Sequence, residues 1–353
     1  DNIDHRKIIL DGPGRIAQEI GLDKASAFVP IIIFDEIHKF GKWKGLLKGF
    51  YDTYKDSVKI IVTGSAKLDT YKRGGDSLMG RYFYYRLHPL SLAELFRASL
   101  RNQEIQKPIA LPKSTFEKLL KFGGFPEPFL KNNTRFSTRW KKLRQEQLIR
   151  EDIRDLSRIQ ELGQIEILVE ILKNQSGQLM NYSNIANKIN ASVTTITRWL
   201  DTLYSLYFSF ALRPWSKNVP RSLIKEPKVY LWDWTYVADK GQRFENFVAC
   251  HLLKAVHFWS DRGFGNYDLW FIRDKEKREV DFLVTKDNRP WFLVEAKVSQ
   301  TAELSRNLFY FQEKIGAEHA FQVVSDMDFV QKNCFLYKKP MIVPAQTLLS
   351  QLV

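Results

Sequence analysis

The chain is poor in cysteine: Cys250 and Cys334 are its two, in 353 residues. Two thiols make neither a disulfide framework nor a cysteine-based metal cluster, and the low count suits a reducing cytoplasm. No apolar run approaches the roughly 20 residues that span a bilayer, so no membrane association is expected. The opening Asp1-Asn2-Ile3-Asp4-His5-Arg6 is polar and is no secretory leader. Position 1 is not Met, and the chain is expected to be a fragment or a processed product. G-x-S-x-G and H-E-x-x-H are both absent, as is any paired metal spacing among the histidines.

A phosphate-cradling G-x-x-x-x-G-K-[ST] loop is missing too. Gly12-Pro13-Gly14-Arg15 is no substitute, because it has neither the lysine that reaches the phosphates nor the hydroxyl that binds Mg2+. Gly41-Lys42 is followed by Trp43 where Ser or Thr would be needed.

What is present is an ordinary globular composition, 44% apolar and 27% charged, which excludes a disordered or fibrous chain. The length allows two or three domains. The formal charge of +14 is uneven: +4 over residues 1–100, +8 over 101–150 and +2 over the rest. The basic segment holds Arg139-Trp140-Lys141-Lys142-Leu143-Arg144. Such a cluster favours a polyanion such as DNA; the plainer reading is a solvated helical face.

Residues 1–100 alternate apolar strands with helical stretches. Residues 29–34 and 59–63 show no polar alternation, as in strands buried on both faces of a parallel sheet. Helical spacing across 43–51 lies between them, giving a βαβ unit. Residues 81–87, rich in Tyr and Phe, suit a further strand of that layer. Ser91, with Glu94 three residues on, reads as a helix cap. Gly123-Gly124-Phe125-Pro126 is a break, and a basic helix follows over about 138–156. Helical patterns at 165–172, 182–189 and 193–204, then a strand at 208–212, read as a winged helix-turn-helix. Residues 228–345 restart an α/β pattern: strand 228–234, helix 241–256, strands 268–273, 279–284 and 291–296, helix 302–314, strand 320–324. The expected domains are thus 1–100, a helical linker over 101–160, a winged helix over 161–227, and 228–345.

Two constellations carry chemistry. Ile31-Ile32-Ile33-Phe34-Asp35-Glu36 is an apolar strand ending in two carboxylates. A parallel strand delivers its C-terminal residues to the sheet edge where ligands bind. There Asp35 can hold Mg2+ and Glu36 can polarise water, the Walker B arrangement. Ser65, ending the next strand, can sense a γ-phosphate, and Arg81 can meet transition-state charge in cis or from a neighbouring subunit. The alternatives are a strand ending in solvated acids, a Gly64-Ser65 turn and a surface ion pair. In the second constellation, Asp281 lies in Glu279-Val280-Asp281-Phe282, and Glu295 and Lys297 lie two apart on one strand, facing one side. Asp281 and Glu295 can bind Mg2+, Lys297 can orient water, and Glu245 can add a ligand from the preceding helix. The alternative is an exposed sheet edge with alternating charge. On the third helix of the winged unit, Thr194, Thr195, Thr197 and Arg198 are of types that contact phosphates and bases.

The series Phe34-Asp35-Glu36-Ile37-His38-Lys39, Val62-Thr63-Gly64-Ser65-Ala66, Ser77-Leu78-Met79-Gly80-Arg81 and Leu87-His88-Pro89-Leu90-Ser91 resembles a widespread prokaryotic family of AAA-type ATPases. Gly123-Gly124-Phe125-Pro126-Glu127 and Leu148-Ile149-Arg150-Glu151-Asp152-Ile153 look like that family's middle segment. Arg243-Phe244-Glu245-Asn246-Phe247-Val248, Glu279-Val280-Asp281-Phe282 and Val294-Glu295-Ala296-Lys297 look like its C-terminal domain, which is similar to PD-(D/E)XK nucleases.

The resemblance implies an ATP site with Asp35 and Glu36 as Walker B and Ser65 as sensor. It also implies a nuclease-type set of Glu245, Asp281, Glu295 and Lys297. The expected fold is α/β multidomain: part of a P-loop AAA-type sheet, a helical linker with a winged helix, and a restriction-endonuclease-like unit. The cofactors expected are ATP and Mg2+. DNA is the expected partner, with self-association suggested by Arg81. The rival reading is a non-catalytic, nucleotide-responsive switch whose C-terminal part binds DNA or protein.

Overall fold

A computed structural model describes residues 3–22, 29–37, 40–64, 78–97, 99, 102–153, 161–216, 226–301 and 303–353. The chain divides into two compact units, Asp1–Tyr84 and Tyr85–Val353. Both are built from helices and sheets, as expected of a multidomain α/β chain.

In the first unit, α1 (Ile3–Leu10) and α2 (Pro13–Glu19) precede β1 (Ile31–Phe34), α3 (Trp43–Tyr54) and β2 (Lys59–Val62). The strands pair in parallel, Ile31 opposite Lys59 and Phe34 opposite Val62. A parallel pair needs a crossover, and α3 supplies it. Trp43, Leu47 and Phe50 recur at helical spacing and are the buried residues of α3. Phe50 meets the Phe34 ring edge-on, with centroids 5.8 Å apart.

Two expectations are corrected here. Ile31 and Ile33 are 59% and 61% exposed, so β1 is covered on one face within this unit, not on both. Residues 81–87 form no strand; Tyr82, Phe83, Tyr85 and Leu87 are exposed. An aromatic run has high strand propensity, but propensity alone makes no ladder without a partner edge.

The second unit starts with α4 (Lys113–Phe122), α5 (Pro126–Lys131) and α6 (Thr134–Gln147), which runs into a π-helical turn at Leu148–Asp152. Then come α7 (Leu162–Asn174), α8 (Tyr182–Ile189), α9 (Val193–Ser205), β3 (Ser209–Leu212) and β4 (Lys228–Leu231). Asn181 and Ser192 cap α8 and α9, accepting from the amides of Asn184 and Thr195. Ser91 and Glu94 also exchange cap-like bonds, of 3.0 and 3.3 Å, but only turns follow. The Glu94 carboxylate is also drawn to the Lys254 ammonium.

Next come α10 (Lys240–Asp261), β5 (Tyr267–Arg273), β6 (Glu279–Lys286), β7 (Arg289–Lys297), α11 (Arg306–Ile315), β8 (His319–Val324), β9 (Met341–Pro344) and α12 (Ala345–Leu349). The five strands form one sheet in sequence order. β5, β6 and β7 are antiparallel, and β7, β8 and β9 are parallel. Phe282, Val284, Phe292, Val294, Phe321 and Val323 join the cluster that holds α10. Leu283, Leu293 and Ala320, one residue out of phase, pack with Leu308 and Phe311 of α11. That alternation is the period-two signature of a sheet covered on both faces.

The strand at 228–231 is not part of this sheet. It pairs antiparallel with β3, Leu212 opposite Lys228. The Asn246 side chain fastens β4 to α10, donating to Leu231 O at 2.7 Å and accepting from Leu231 N at 2.9 Å. An apolar run records burial, not its partner strand.

The segment before α4 is fastened to α10 by polar groups. The Leu92 amide donates to His251 Nε2 at 3.0 Å, and His251 Nδ1 donates to Phe247 O at 2.8 Å. Nε2 is therefore an acceptor, and the ring is neutral. Burial holds its pKa down at about 4, from an ordinary 6.5. The unfolded imidazole takes a proton below about 6.5, while the folded one resists until about 4. Its contribution is present in full above pH 6.5 and is lost as pH falls through that window, by about 3 kcal/mol. In melts of the protein across pH 7 to 4, His251→Gln is expected to show a shallower acid slope than wild type; parallel slopes would refute the assignment.

Candidate functional site

The parallel register of β1 and β2 sets Asp35 and Thr63 side by side, one residue past each strand. The ladder continues there, with Thr63 N to Phe34 O at 2.9 Å and Glu36 N to Thr63 O at 3.1 Å. The Thr63 hydroxyl donates to Asp35 Oδ1 in a short bond. Asp35 is exposed and Glu36 half-buried. Glu36 has φ +51°, a left-handed backbone that a non-glycine residue adopts at a cost. Thr63 was missed by reading the sequence for Ser65; its signal was its position at the polar tip of β2. Ser65 and His38 lie outside the described residues. Arg81 sits on Asp52 of α3 with two N–H bonds of 2.8 and 3.2 Å, so its guanidinium is engaged in a two-pronged ion pair.

The second constellation comes together. Asp281 enters from β6, Glu295 and Lys297 from β7, and Glu245 from α10. Lys297 Nζ lies 2.8 Å from Glu295 Oε1, as the same-face spacing predicts. Asp281 Oδ2 accepts from the Ala296 amide at 2.9 Å. Glu295 Oε2 is buried with no hydrogen-bond partner. Burial raises the pKa of Glu245, Asp281 and Glu295, and Asp281's nearby charge raises it further in the two glutamates.

Residues that the sequence did not flag complete the cluster. Lys228, from β4, reaches Glu279 at 2.6 Å, Glu245 at 3.4 Å and Asp281 at 4.0 Å. The Tyr230 hydroxyl donates to Glu245 Oε1 at 2.7 Å. Arg273 holds the other oxygen of Glu279 at 2.8 Å. Gly177, in the turn after α7, backs onto Glu245. These residues lie far apart in sequence, and no local spacing marks them.

The donor chemistry suits a hard divalent cation, since carboxylate oxygens are its usual ligands, and Glu295 Oε2 has an unmet need. The arrangement does not: an ammonium stands among the carboxylates. Among the described residues no three acidic, His or Cys groups are grouped to hold a metal.

The basic segment divides by orientation. Lys141 turns inward and donates to Thr235 O at 3.2 Å, and the Arg144 guanidinium lies 3.9 Å from the Phe125 ring centre. Arg135, Arg139 and Lys142 of α6 are exposed and fall at helical spacing on one side. On α9, Thr194, Thr197 and Arg198 are exposed, while Thr195 is half-buried and shares a 2.8 Å hydroxyl bond with Ser192.

Residues 4–96 match the family described as AAA domain. Residues 113–238 and 240–340 match two domains of unknown function, DUF8612 and DUF4143. The N-terminal part is thus similar to AAA-type, ATPase-like domains. An uncharacterized protein of Methanocaldococcus jannaschii is 25% identical over 286 residues, covering 76% of this chain and 62% of that protein. One from Mycobacterium tuberculosis is 22% identical over 293 residues, covering 79% of this chain and 61% of its own. One from Haemophilus influenzae is 22% identical over 295 residues, covering 80% and 69%. The chain thus spans less than two thirds of the length of the first two. No solved structure matches. No helix among the described residues is long and apolar enough to cross a membrane.

Gly177 tests how tightly the cluster is built. Its φ is +78°, and a Cβ there would stand 2.9 Å from Glu245 Oε1 and 3.3 Å from Tyr230. Gly177→Ala is expected to destabilise the protein by about 1–3 kcal/mol, from backbone strain and displacement of Glu245. Thermal melting checks it; an unchanged Tm would mean the turn does not press on the cluster.

Proposed function

We propose that the chain couples an AAA-type ATP-binding module to a C-terminal unit on the PD-(D/E)XK plan, which engages DNA. The observation that carries this reading is the convergence of Glu245, Asp281, Glu295 and Lys297 on one spot. The order of elements supports it: a helix, three antiparallel strands, a helix and a parallel strand. The three helices Leu162–Asn174, Tyr182–Ile189 and Val193–Ser205, with the β3–β4 pair, are read as a winged helix between the two modules. Exposed Arg135, Arg139 and Lys142 supply positive charge for a phosphate backbone.

At the N-terminal site Asp35 is exposed and, among the described residues, bonded by the Thr63 hydroxyl, so it fits a Mg2+–nucleotide. Bound Mg2+ would neutralise phosphate charge. Asp35 would face it, and Glu36 would orient water. At the C-terminal site no metal-dependent step is assigned, because Lys228 stands among the carboxylates. There Lys297 is held by Glu295, and Asp281 by the Ala296 amide.

The second reading, a non-catalytic nucleotide-responsive switch with a DNA- or protein-binding C-terminal unit, is favoured by that same lysine. Plasmid cleavage with Mg2+ and Mn2+ separates the two. Cleavage by the wild-type chain that is lost in Asp281→Ala and Lys297→Ala supports a nuclease. Equal residual activity in all three removes it. For the ATPase half, sequencing the DNA upstream of Asp1 tests whether an in-frame G-x-x-x-x-G-K-[ST] lies there. In the protein that carries it, Glu36→Gln should slow ATP turnover by about a hundredfold; undiminished turnover would refute the role of Glu36.

A further inference from the structure

We infer that Lys228 is the resident cation of the C-terminal carboxylate centre, and that it and a divalent metal ion exclude one another there. The inference deepens the reading of Glu245, Asp281 and Glu295 as a metal-type centre and rests on it.

The charges argue for it first. Glu245, Glu279, Asp281 and Glu295 lie in one partly or wholly buried neighbourhood, and buried carboxylates need counter-charge. Lys297 is committed to Glu295 at 2.8 Å, and Arg273 to Glu279 at 2.8 Å. Lys228 reaches Glu245 and Asp281 at 3.4 and 4.0 Å, while it bonds Glu279 at 2.6 Å. Its side chain is 5% exposed.

The backbone argues for it second. Lys228 is no surface side chain folded inward by chance. It pairs with Leu212 in the β3–β4 ladder and bridges to Leu179. The Gly177 amide holds Val229 O at 2.9 Å, and the Met180 amide holds Pro227 O at 2.8 Å. The ammonium is therefore delivered by a fixed strand that is not part of the five-stranded sheet. A small divalent ion needs oxygens at about 2.0–2.6 Å, and an ammonium beside them repels it. One position remains unmet: Glu295 Oε2 is buried, without a partner, and Glu295 is 7% exposed.

The experiment titrates Mn2+ into the whole chain by electron paramagnetic resonance, with the fold followed by circular dichroism. The proteins are wild type, Lys228→Met, Lys228→Arg, and Lys228→Met with Asp281→Asn. Lys228→Met should gain one Mn2+ site, at least about tenfold tighter than any in wild type. Lys228→Arg, which keeps the charge, should gain none, and Asp281→Asn should abolish the gained site. If Lys228→Met is unfolded in chelator, Mn2+ should refold it, because the ion replaces the missing charge. Wild type binding Mn2+ as tightly as Lys228→Met would overturn the exclusion by Lys228 and leave the metal-type centre standing. A folded Lys228→Met that binds no Mn2+, or an unfolded one that Mn2+ does not rescue, would overturn both.

Discussion

Carboxylates cannot be gathered beneath an apolar sheet unless positive charge arrives with them. In the larger unit that charge comes from Lys228, Lys297 and Arg273. The requirement links parts of the chain that share no ladder: β4 brings the ammonium, α10 brings Glu245, and β6 and β7 bring Asp281 and Glu295. Removing one partner would leave the others as uncompensated buried charge, which costs far more than an exposed pair is worth. The cluster is thus a joint as well as a candidate site. The turn after α7 closes against it through Gly177.

Helix α10 ties the rest to that joint. Glu245 faces the charge cluster, and Asn246, one residue on, clamps β4. Further along, His251 takes the Leu92 amide, Lys254 bonds Pro89 O at 2.9 Å, and Asp261 pairs with Arg86. One helix therefore positions a carboxylate of the charge cluster and holds the segment that precedes α4. Its residues Phe244, Phe247, Leu252 and Trp259 are buried in the same cluster as Phe282, Val284, Phe292 and Val294 of the sheet, which gives these polar contacts a rigid base.

Much of this was legible locally. The βαβ unit and most strands of the large sheet follow from periodicity and end signals. So does the approach of Lys297 to Glu295, since residues two apart on a strand share a face. Other features were not legible. Lys228 read as one more charged residue at a strand start, because its partners lie at positions 245, 279 and 281. The Tyr- and Phe-rich run at 81–87 read as a strand, but local propensity supplies no neighbouring edge. Ser91 and Glu94 formed their cap bonds without a helix to cap, and Glu94 also serves Lys254.

The sequence by itself determined the kinds of most elements and the carboxylates at the end of β1 and on β6 and β7. Those depend on spacing within a few residues. Tertiary structure alone decided which strand pairs with β4, which half of the basic segment turns inward, and which cation stands among Glu245, Asp281 and Glu279. These depend on charge and packing between segments far apart in the chain. Coulomb attraction and burial act through space, and no local pattern records them.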